Sequence, residues 1–443
     1  MQNQGIRDAR SLGTPKLLVL GLQHMFAMFG ATVLVPALTG LSVSATLLFA
    51  GLGTLFFHFL TKGKVPAFLG SSFAYLAGYA AIAPNGEAAL LPYACVGVAA
   101  SGLLYLILAA LVRGFGANRV MRFFPPVVTG PIIICIGMTL ANSAINNCTG
   151  SWDIALVAII TVIVFNIWGK GMLRIIPILL GVLVSYVYAA VTGRVDFSGV
   201  ASAAWIGLPV KMENTVFSLI GNCDANLLVT AIIAIMPIAF ATMIEHIGDI
   251  CAISSTVGAN FIADPGLHRT LLGDGLATSI ASLFGAPANT TYGENTGVLA
   301  LTRVYDPLVI RLAAVYAIIA SFCPKFAALV SAMPTGTIGG VSLILYGMIS
   351  AIGVRNLVEN RVDLAKSRNV IVVSLIISLA LGITFSAAGA ITFHVGEFTL
   401  NFSGLAVAAI VGIVVNAILP GKDYNFQNDY EYGKTTEDHG QML

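Results

Sequence analysis

Fourteen apolar stretches, most close to twenty residues and each ended by charged or turn-forming residues, constrain the fold of this 443-residue chain more than anything else in it. A run of that length matches the hydrocarbon thickness of a bilayer as one helix. The stretches fall at 17–36, 41–60, 66–82, 90–112, 124–145, 152–168 and 173–192, then at 226–248, 270–286, 288–302, 307–330, 335–353, 369–388 and 403–420. In lipid every backbone polar group must be satisfied internally, so the expected fold class is an all-α polytopic membrane protein with 14 transmembrane segments. Only 9% of residues are charged and 57% are hydrophobic, against about 25% charged in soluble proteins. The lipid bilayer is then the solvent. A net charge of +2 without a long basic run excludes a nucleic-acid surface. The N-terminus passes through Arg7, Arg10 and Lys16 directly into a full-length span, which reads as a retained first helix, not a cleaved signal.

Lysine and arginine set the orientation. With the N-terminus cytoplasmic, 19 of the 22 basic residues fall on the inside, and only Arg194, Lys211 and Lys325 fall outside. A missed or invented span would move every later loop to the other side and spoil that bias. Both termini are therefore expected in the cytoplasm of a cell-membrane protein.

Seven spans followed by seven more form an inverted repeat, because an odd number of crossings makes the second set enter from the opposite face. The third span is short and carries Gly70-Ser71-Ser72-Phe73; the tenth is short and carries Tyr292-Gly293-Glu294 within the polar patch from Ala288 to Gly297. Paired, glycine-interrupted segments point to a midplane site where half-helix N-termini offer free N–H groups. Close helix packing is the ordinary use of small residues in membranes, but matched positions beside a carboxylate favour a site. A charge at the bilayer centre costs about 2.5–3.5 kcal/mol, so Glu294 implies a compensating cavity, partner or substrate.

The eighth span ends in Ile244-Glu245-His246-Ile247-Gly248-Asp249. Glu245 and Asp249, four apart, share one helix face and His246 points elsewhere. With Glu294 they describe a polar cavity that handles protons or donor-rich solutes. A metal centre is disfavoured, since no histidine pair of the HExxH kind is present. His24 in the first span is a candidate proton group, or a structural hydrogen-bond partner of a neighbouring span. Asp274 in the ninth span is either a cavity residue or a partner for an adjacent helix, and His394 lies in a hairpin-like stretch. The six cysteines lack CxxC spacing and read as free thiols; only Cys148 and Cys223 fall in outside loops. No GxxxxGK[ST] motif is present, so no cofactor is expected and any solute movement by such a chain would draw on an ion gradient. An enzyme needs a nucleophile–base pair or metal set that these residues do not supply.

These residues carry a resemblance. The chain resembles the nucleobase-cation symporter-2 family, also called nucleobase–ascorbate transporters. The family signature is an acidic or amide residue, Asn, any residue, Gly, four further residues, Thr and a basic residue; it is matched by Glu294, Asn295, Gly297, Thr302 and Arg303. Further likeness lies at Gln23-His24, Pro66 with Gly70–Phe73, Glu245-His246 with Gly248, Asp264–Arg269, and Gly339-Gly340-Val341-Ser342 to Tyr346.

The resemblance implies a core domain (spans 1–4 and 8–11) and a gate domain (spans 5–7 and 12–14), with a short strand in segments 3 and 10. Along the chain this gives a cytoplasmic N-terminus at 1–16, core at 17–112, gate at 113–192 and an extracytoplasmic linker at 193–225. Core follows at 226–330, gate at 331–420 and a flexible cytoplasmic tail at 421–443. The loop at 193–223 is expected to lie over the gate. By position, substrate contacts are Phe73, Glu245, Gly293 and Glu294, with Ala31, Tyr292 and Tyr346 lining the cavity. Proton coupling falls to Glu245, Asp249, Glu294 and His24. Some members have a histidine where this chain has Asp249, which leaves the coupling detail open. Glu at 294 is the choice of the uracil branch, and Gln is common in the purine and xanthine branches. The implied function is uracil import by proton symport, with xanthine or another purine as the alternative substrate. Sodium coupling through Asn289, Thr290 and Thr291 is the alternative ion reading. An anion transporter on the same fold is the alternative class, and a homodimer through the gate domains is the implied assembly.

Overall fold

The computed structural model describes residues 5–221, 223–395 and 398–422. The tail from Asp423 to Leu443, expected as a flexible cytoplasmic extension, lies outside the described residues, as does the side chain of Glu294. Helix ends fall where proline, glycine and capping side chains put them. Helix α1 (Thr14–Thr39) has a proline in its first turn and stops at Gly40, whose φ of 79° suits a residue without Cβ. Helix α2 (Val43–Leu60) is capped by Ser42, which accepts the Ala45 N–H at 3.2 Å. Strand β1 (Leu69–Ser71), a 3-10 turn at Phe73–Tyr75 and α3 (Leu76–Ile82) follow. Then come α4 (Leu91–Phe115), α5 (Ala117–Met121), α6 (Pro126–Thr149), α7 (Trp152–Ile167), α8 (Met172–Ile175), α9 (Pro177–Val191) and α10 (Ser198–Ser202).

The second half starts with α11 (Ala225–Ile235), capped by Asp224, which continues through a 3-10 turn into α12 (Ala239–Val257). It continues through α13 (Leu267–Leu283), β2 (Asn289–Thr291), α14 (Glu294–Thr302), α15 (Pro307–Ser321), α16 (Pro324–Ser331), α17 (Thr335–Glu359) and α18 (Ser367–Thr384). A hairpin of β3 (Ala390–Val395) and β4 (Phe398–Ser403) leads into α19 (Gly404–Ile418).

The chain is an all-α multi-span membrane protein. Among the described residues seven helices are individually long and apolar enough to cross a bilayer, α11 and α12 counting as one, and four shorter apolar helices accompany them. Two expected segments differ. The eleventh is broken, with α15 and α16 bent by 89° between Ser321 and Pro324, because Pro324 starts a new helix and cannot donate to the preceding turn. The eighth does not end near Gly248: α12 runs on to Val257 and is closed by Gly258. Glu245 and Asp249 thus lie inside a helix, not at its mouth.

Helix packing falls into two groups. The first joins α1, α2, α4, α11, α13 and α15; the second joins α6, α7, α9, α17, α18 and α19. Glycine sets the closest approaches in each. A Cβ on Gly137 of α6 would sit 2.1 Å from the Tyr346 carbonyl oxygen on α17, and one on Gly275 of α13 would sit 2.3 Å from Tyr105 Cβ on α4.

Loop contacts sort the ends of the first group into two faces. On one, Ile6 donates to the Arg303 carbonyl at 2.7 Å, Arg7 to the Val257 carbonyl at 2.8 Å and Arg269 to the Leu60 carbonyl at 3.1 Å. Lys64 also hydrogen-bonds Asp264 there, holding that exposed carboxyl below its usual range. On the other face, Asp224 N–H donates to the Tyr93 hydroxyl at 2.8 Å and Gly207 N–H to the Phe322 carbonyl at 3.0 Å. The Lys325 N–H donates to the Ala204 carbonyl at 2.9 Å. The linker therefore does not lie over the expected gate for most of its length. It begins beside α7, where Arg194 pairs with Asp153, and then crosses onto α4, α13 and α16, where Val216 and Leu219 pack on the apolar core.

Replacing Gly137 by Val is expected to destabilise the detergent-solubilised protein by about 1–3 kcal/mol, the usual cost of overpacking. Gly382→Ala, at a glycine with nothing within 4 Å, should leave the thermal midpoint unchanged or raise it. Thermal unfolding of the two variants measures the difference.

Candidate functional site

Extended backbone at membrane depth exposes N–H and C=O groups that lipid cannot satisfy, so it survives only when buried in protein. Strands β1 and β2 meet that condition by pairing with each other. They are antiparallel, with Leu69 opposite Thr291, Gly70 opposite Thr290 and Ser71 opposite Asn289, and all six residues are buried. Two further bonds extend the ladder: Ser72 N–H to the Ala288 carbonyl at 2.9 Å and Tyr292 N–H to the Phe68 carbonyl at 3.0 Å. Side chains of the surrounding helices satisfy the outer edges. Leu69 N–H donates to Thr54 Oγ1 at 2.9 Å and Thr291 N–H to Asp274 Oδ1 at 2.7 Å. Thr278 Oγ1 donates to the Asn289 carbonyl at 2.9 Å, and Asn289 Nδ2 to the Phe49 carbonyl at 2.6 Å.

Each strand feeds a helical start. The 3-10 turn at Phe73 leads into α3, and α14 begins at Glu294; neither Ser72 nor Gly293 caps its helix with a side chain. First-turn N–H groups are thus left for another acceptor, at the positive end of a helix dipole. The first turn of α14 is held by Asn295, whose Nδ2 donates to the Pro66 carbonyl at 2.6 Å.

Around this point the structure gathers several of the sequence-derived candidates. The Phe73 ring meets Tyr346 of α17 edge-on, with centroids 5.7 Å apart. Asp249 lies against Gly293: a Cβ there would sit 2.5 Å from Asp249 Oδ1. Glu245, half-buried, is one turn earlier on α12. The Tyr292 hydroxyl donates to the Ser71 carbonyl at 3.0 Å, and Ser71 Oγ donates to the Thr32 carbonyl of α1 at 2.7 Å, next to buried Ala31. His24 is fully buried on α1 beside Asn295. Of Glu294 only the backbone is described.

Other members of the signature stand apart. Gly297 is exposed, with no neighbour near its Cβ position. Thr302 and Arg303 lie at the far end of α14, roughly 12 Å from its start at 1.5 Å per residue. There Thr302 Oγ1 donates to the Val298 carbonyl at 2.8 Å, and Arg303 closes the helix with a φ of 53°. They shape the helix end and do not touch the strand crossing.

One network was only partly legible in the sequence, which marked Asp274 as a cavity residue or a partner for an adjacent helix. His246 turns away from the Glu245 face to meet Thr291 Oγ1 through Nδ1 and Thr270 Oγ1 through Nε2, each at 3.0 Å. Asp274 accepts from the Thr291 backbone and, at 2.8 Å, from its hydroxyl; its second oxygen lies 3.4 Å from His246 Nδ1. A proton on Nδ1 suits this arrangement, with Thr270 facing the other nitrogen. Asp274 is thereby a helix-to-strand anchor, holding β2 at Thr291. The other trace in the sequence is a scatter of Thr and Asp on helices that are otherwise apolar.

The permease family matches residues 15–389 of the chain. The chain is 42% identical over 437 residues to the uracil permease of Bacillus caldolyticus, covering 96% of each protein. It is 40% identical over 453 residues to the uracil permease of Bacillus subtilis (strain 168), covering 99% of this chain and 98% of that one. Among solved structures it is similar in fold to the transmembrane domain of a cyanobacterium bicarbonate transporter, BicA. There the TM-score is 0.55 at 15% identity, over 80% of this chain and 97% of that chain.

Asp274→Ala leaves the Thr291 N–H and hydroxyl without their acceptor, and is expected to destabilise the protein by about 1–3 kcal/mol. Asp274→Asn keeps a carbonyl acceptor and should lose less than half as much. Chemical or thermal unfolding in detergent measures both; equal losses would contradict the anchoring role.

Proposed function

The chain belongs to the permease family, and on that premise we propose that it is a secondary active transporter importing uracil by proton symport through alternating access. It is an integral, multi-span membrane transporter and not an enzyme. The observation that carries the reading is the buried strand pair, which leads into two uncapped helix starts, that of α14 lying against Asp249. This stands in a chain 42% identical to a protein named uracil permease.

Uracil is planar and neutral, with ring N–H donors between carbonyl acceptors. In the proposed complex Glu245 and Glu294 accept the ring N–H protons in charge-assisted bonds. Backbone N–H groups at Gly293 and Phe73 meet the carbonyls, and the Phe73 ring covers the base face. Ala31, Tyr292 and Tyr346 close the cavity. Glu245, Asp249, Glu294 and His24 supply the proton-binding groups. Asp249 stands where some family members have a histidine, so coupling by this chain is expected to rest on carboxylates.

The two packing groups support a division into core and gate. In the proposed cycle the first group, with the strand pair, moves against the second and exposes the site alternately to each face. The basic face that includes Arg7, Lys64 and Arg269 is assigned to the cytoplasm, and a homodimer through the gate is the proposed assembly. Sharing a fold with a bicarbonate transporter does not make this chain an anion carrier: carboxylates at the strand crossing repel an anion and suit a solute rich in N–H donors.

Proteoliposomes given an inward proton gradient are expected to take up labelled uracil. Glu245→Gln should lower uptake about tenfold or more, on the scale of a lost hydrogen bond to a charged group. Excess unlabelled xanthine should not compete. Strong competition by xanthine would reassign the substrate, and pH-independent uptake that requires sodium would reassign the coupling ion.

A further inference from the structure

A groove of about 640 Å³ opens where the two packing groups meet. Leu108 and Leu111 of α4 and Phe240 and Met243 of α12 form one wall; Phe124, just before α6, and Ile413 of α19 form the other. Arg119 and Arg122 are also part of the lining and carry its only charges. They belong to the stretch around α5 that follows the end of α4, on the basic face. Both are exposed, and among the described residues no carboxylate lies within 4.0 Å of either guanidinium. Arg122 rests over the Phe123 ring, 5.9 Å from its centroid, which restrains the guanidinium beside the groove.

An apolar trough wide enough for a hydrocarbon chain, with two unneutralised guanidinium groups at its lining, is complementary to one kind of molecule. We propose that it is a binding site for a single anionic glycerophospholipid, one acyl chain lying along Leu108, Leu111, Phe240, Met243 and Ile413 and the phosphate between Arg119 and Arg122. Arginine forks bind phosphate oxygens in bidentate fashion, and two of them favour a lipid that keeps a net negative charge over a zwitterionic one. The acyl chain contacts α4 and α12 on one side and α19 on the other, so the bound lipid bridges the two packing groups at their seam.

Native mass spectrometry of the full-length protein in detergent tests this with phosphatidylglycerol and phosphatidylcholine of identical chains. Phosphatidylglycerol should be retained about tenfold more than phosphatidylcholine, a difference of about 1.4 kcal/mol. The Arg119→Gln/Arg122→Gln pair should reduce it to the phosphatidylcholine level. Ile413→Trp, which fills the groove and leaves the arginines in place, should lower retention of both lipids. Lys170→Gln/Arg174→Gln, removing two cations elsewhere, should leave retention unchanged. Equal retention of the two lipids would overturn the proposal, as would equal losses in the two charge-removing pairs. So would displacement of phosphatidylglycerol by glycerol phosphate alone, which has no chain to occupy the groove.

Discussion

Everything at the centre of this protein depends on hydrogen-bonding two three-residue strands where no water can help. An unpaired backbone group in an apolar medium costs several kcal/mol, and segments 69–71 and 289–291 together present a dozen such groups. The antiparallel pairing removes part of that cost, and Thr54, Asp274 and Thr278 satisfy edges the ladder leaves open. Once the strands are fixed, the starts of α3 and α14, which follow directly from them, are fixed too.

The anchoring of β2 links that crossing to the rest of the first packing group. Asp274 and Thr270 belong to α13, His246 to α12 and Thr291 to β2, so one buried cluster ties three elements. On its other face α12 presents Glu245 and Asp249, with Asp249 against Gly293. A single helix thus holds the strand with His246 and carries carboxylates one residue before and three after it. The edge-on contact of Phe73 with Tyr346 brings α17 of the second group against the end of β1.

Features set by local chemistry were legible in the sequence. Span positions follow from apolar length, and the interruptions in segments 3 and 10 were marked by glycine and small polar residues that a lipid-facing helix has no reason to carry. The break before Pro324 had its proline in view, yet the apolar run continued through it and concealed an 89° bend. The continuation of α12 was hidden for the opposite reason: carboxylates at 245 and 249 look like the end of a span, yet the helix runs on to its stop at Gly258. Least legible were contacts between distant residues. Asn295 donates to a carbonyl 229 positions away, and His246 finds partners on two other elements; neither spacing nor composition encodes such pairings. The linker was misjudged likewise, since its few apolar residues do not reveal which group they cover.

The central claim is that the strand crossing orients a planar base between Phe73 and the start of α14. An experimental structure of the protein with uracil bound tests it most directly. The account predicts uracil stacked on Phe73, its ring N–H groups facing Glu245 and the start of α14, with Leu69 still opposite Thr291 in an unchanged strand register. Uracil bound away from the crossing, or a strand pair that parts or shifts register around it, would contradict the account.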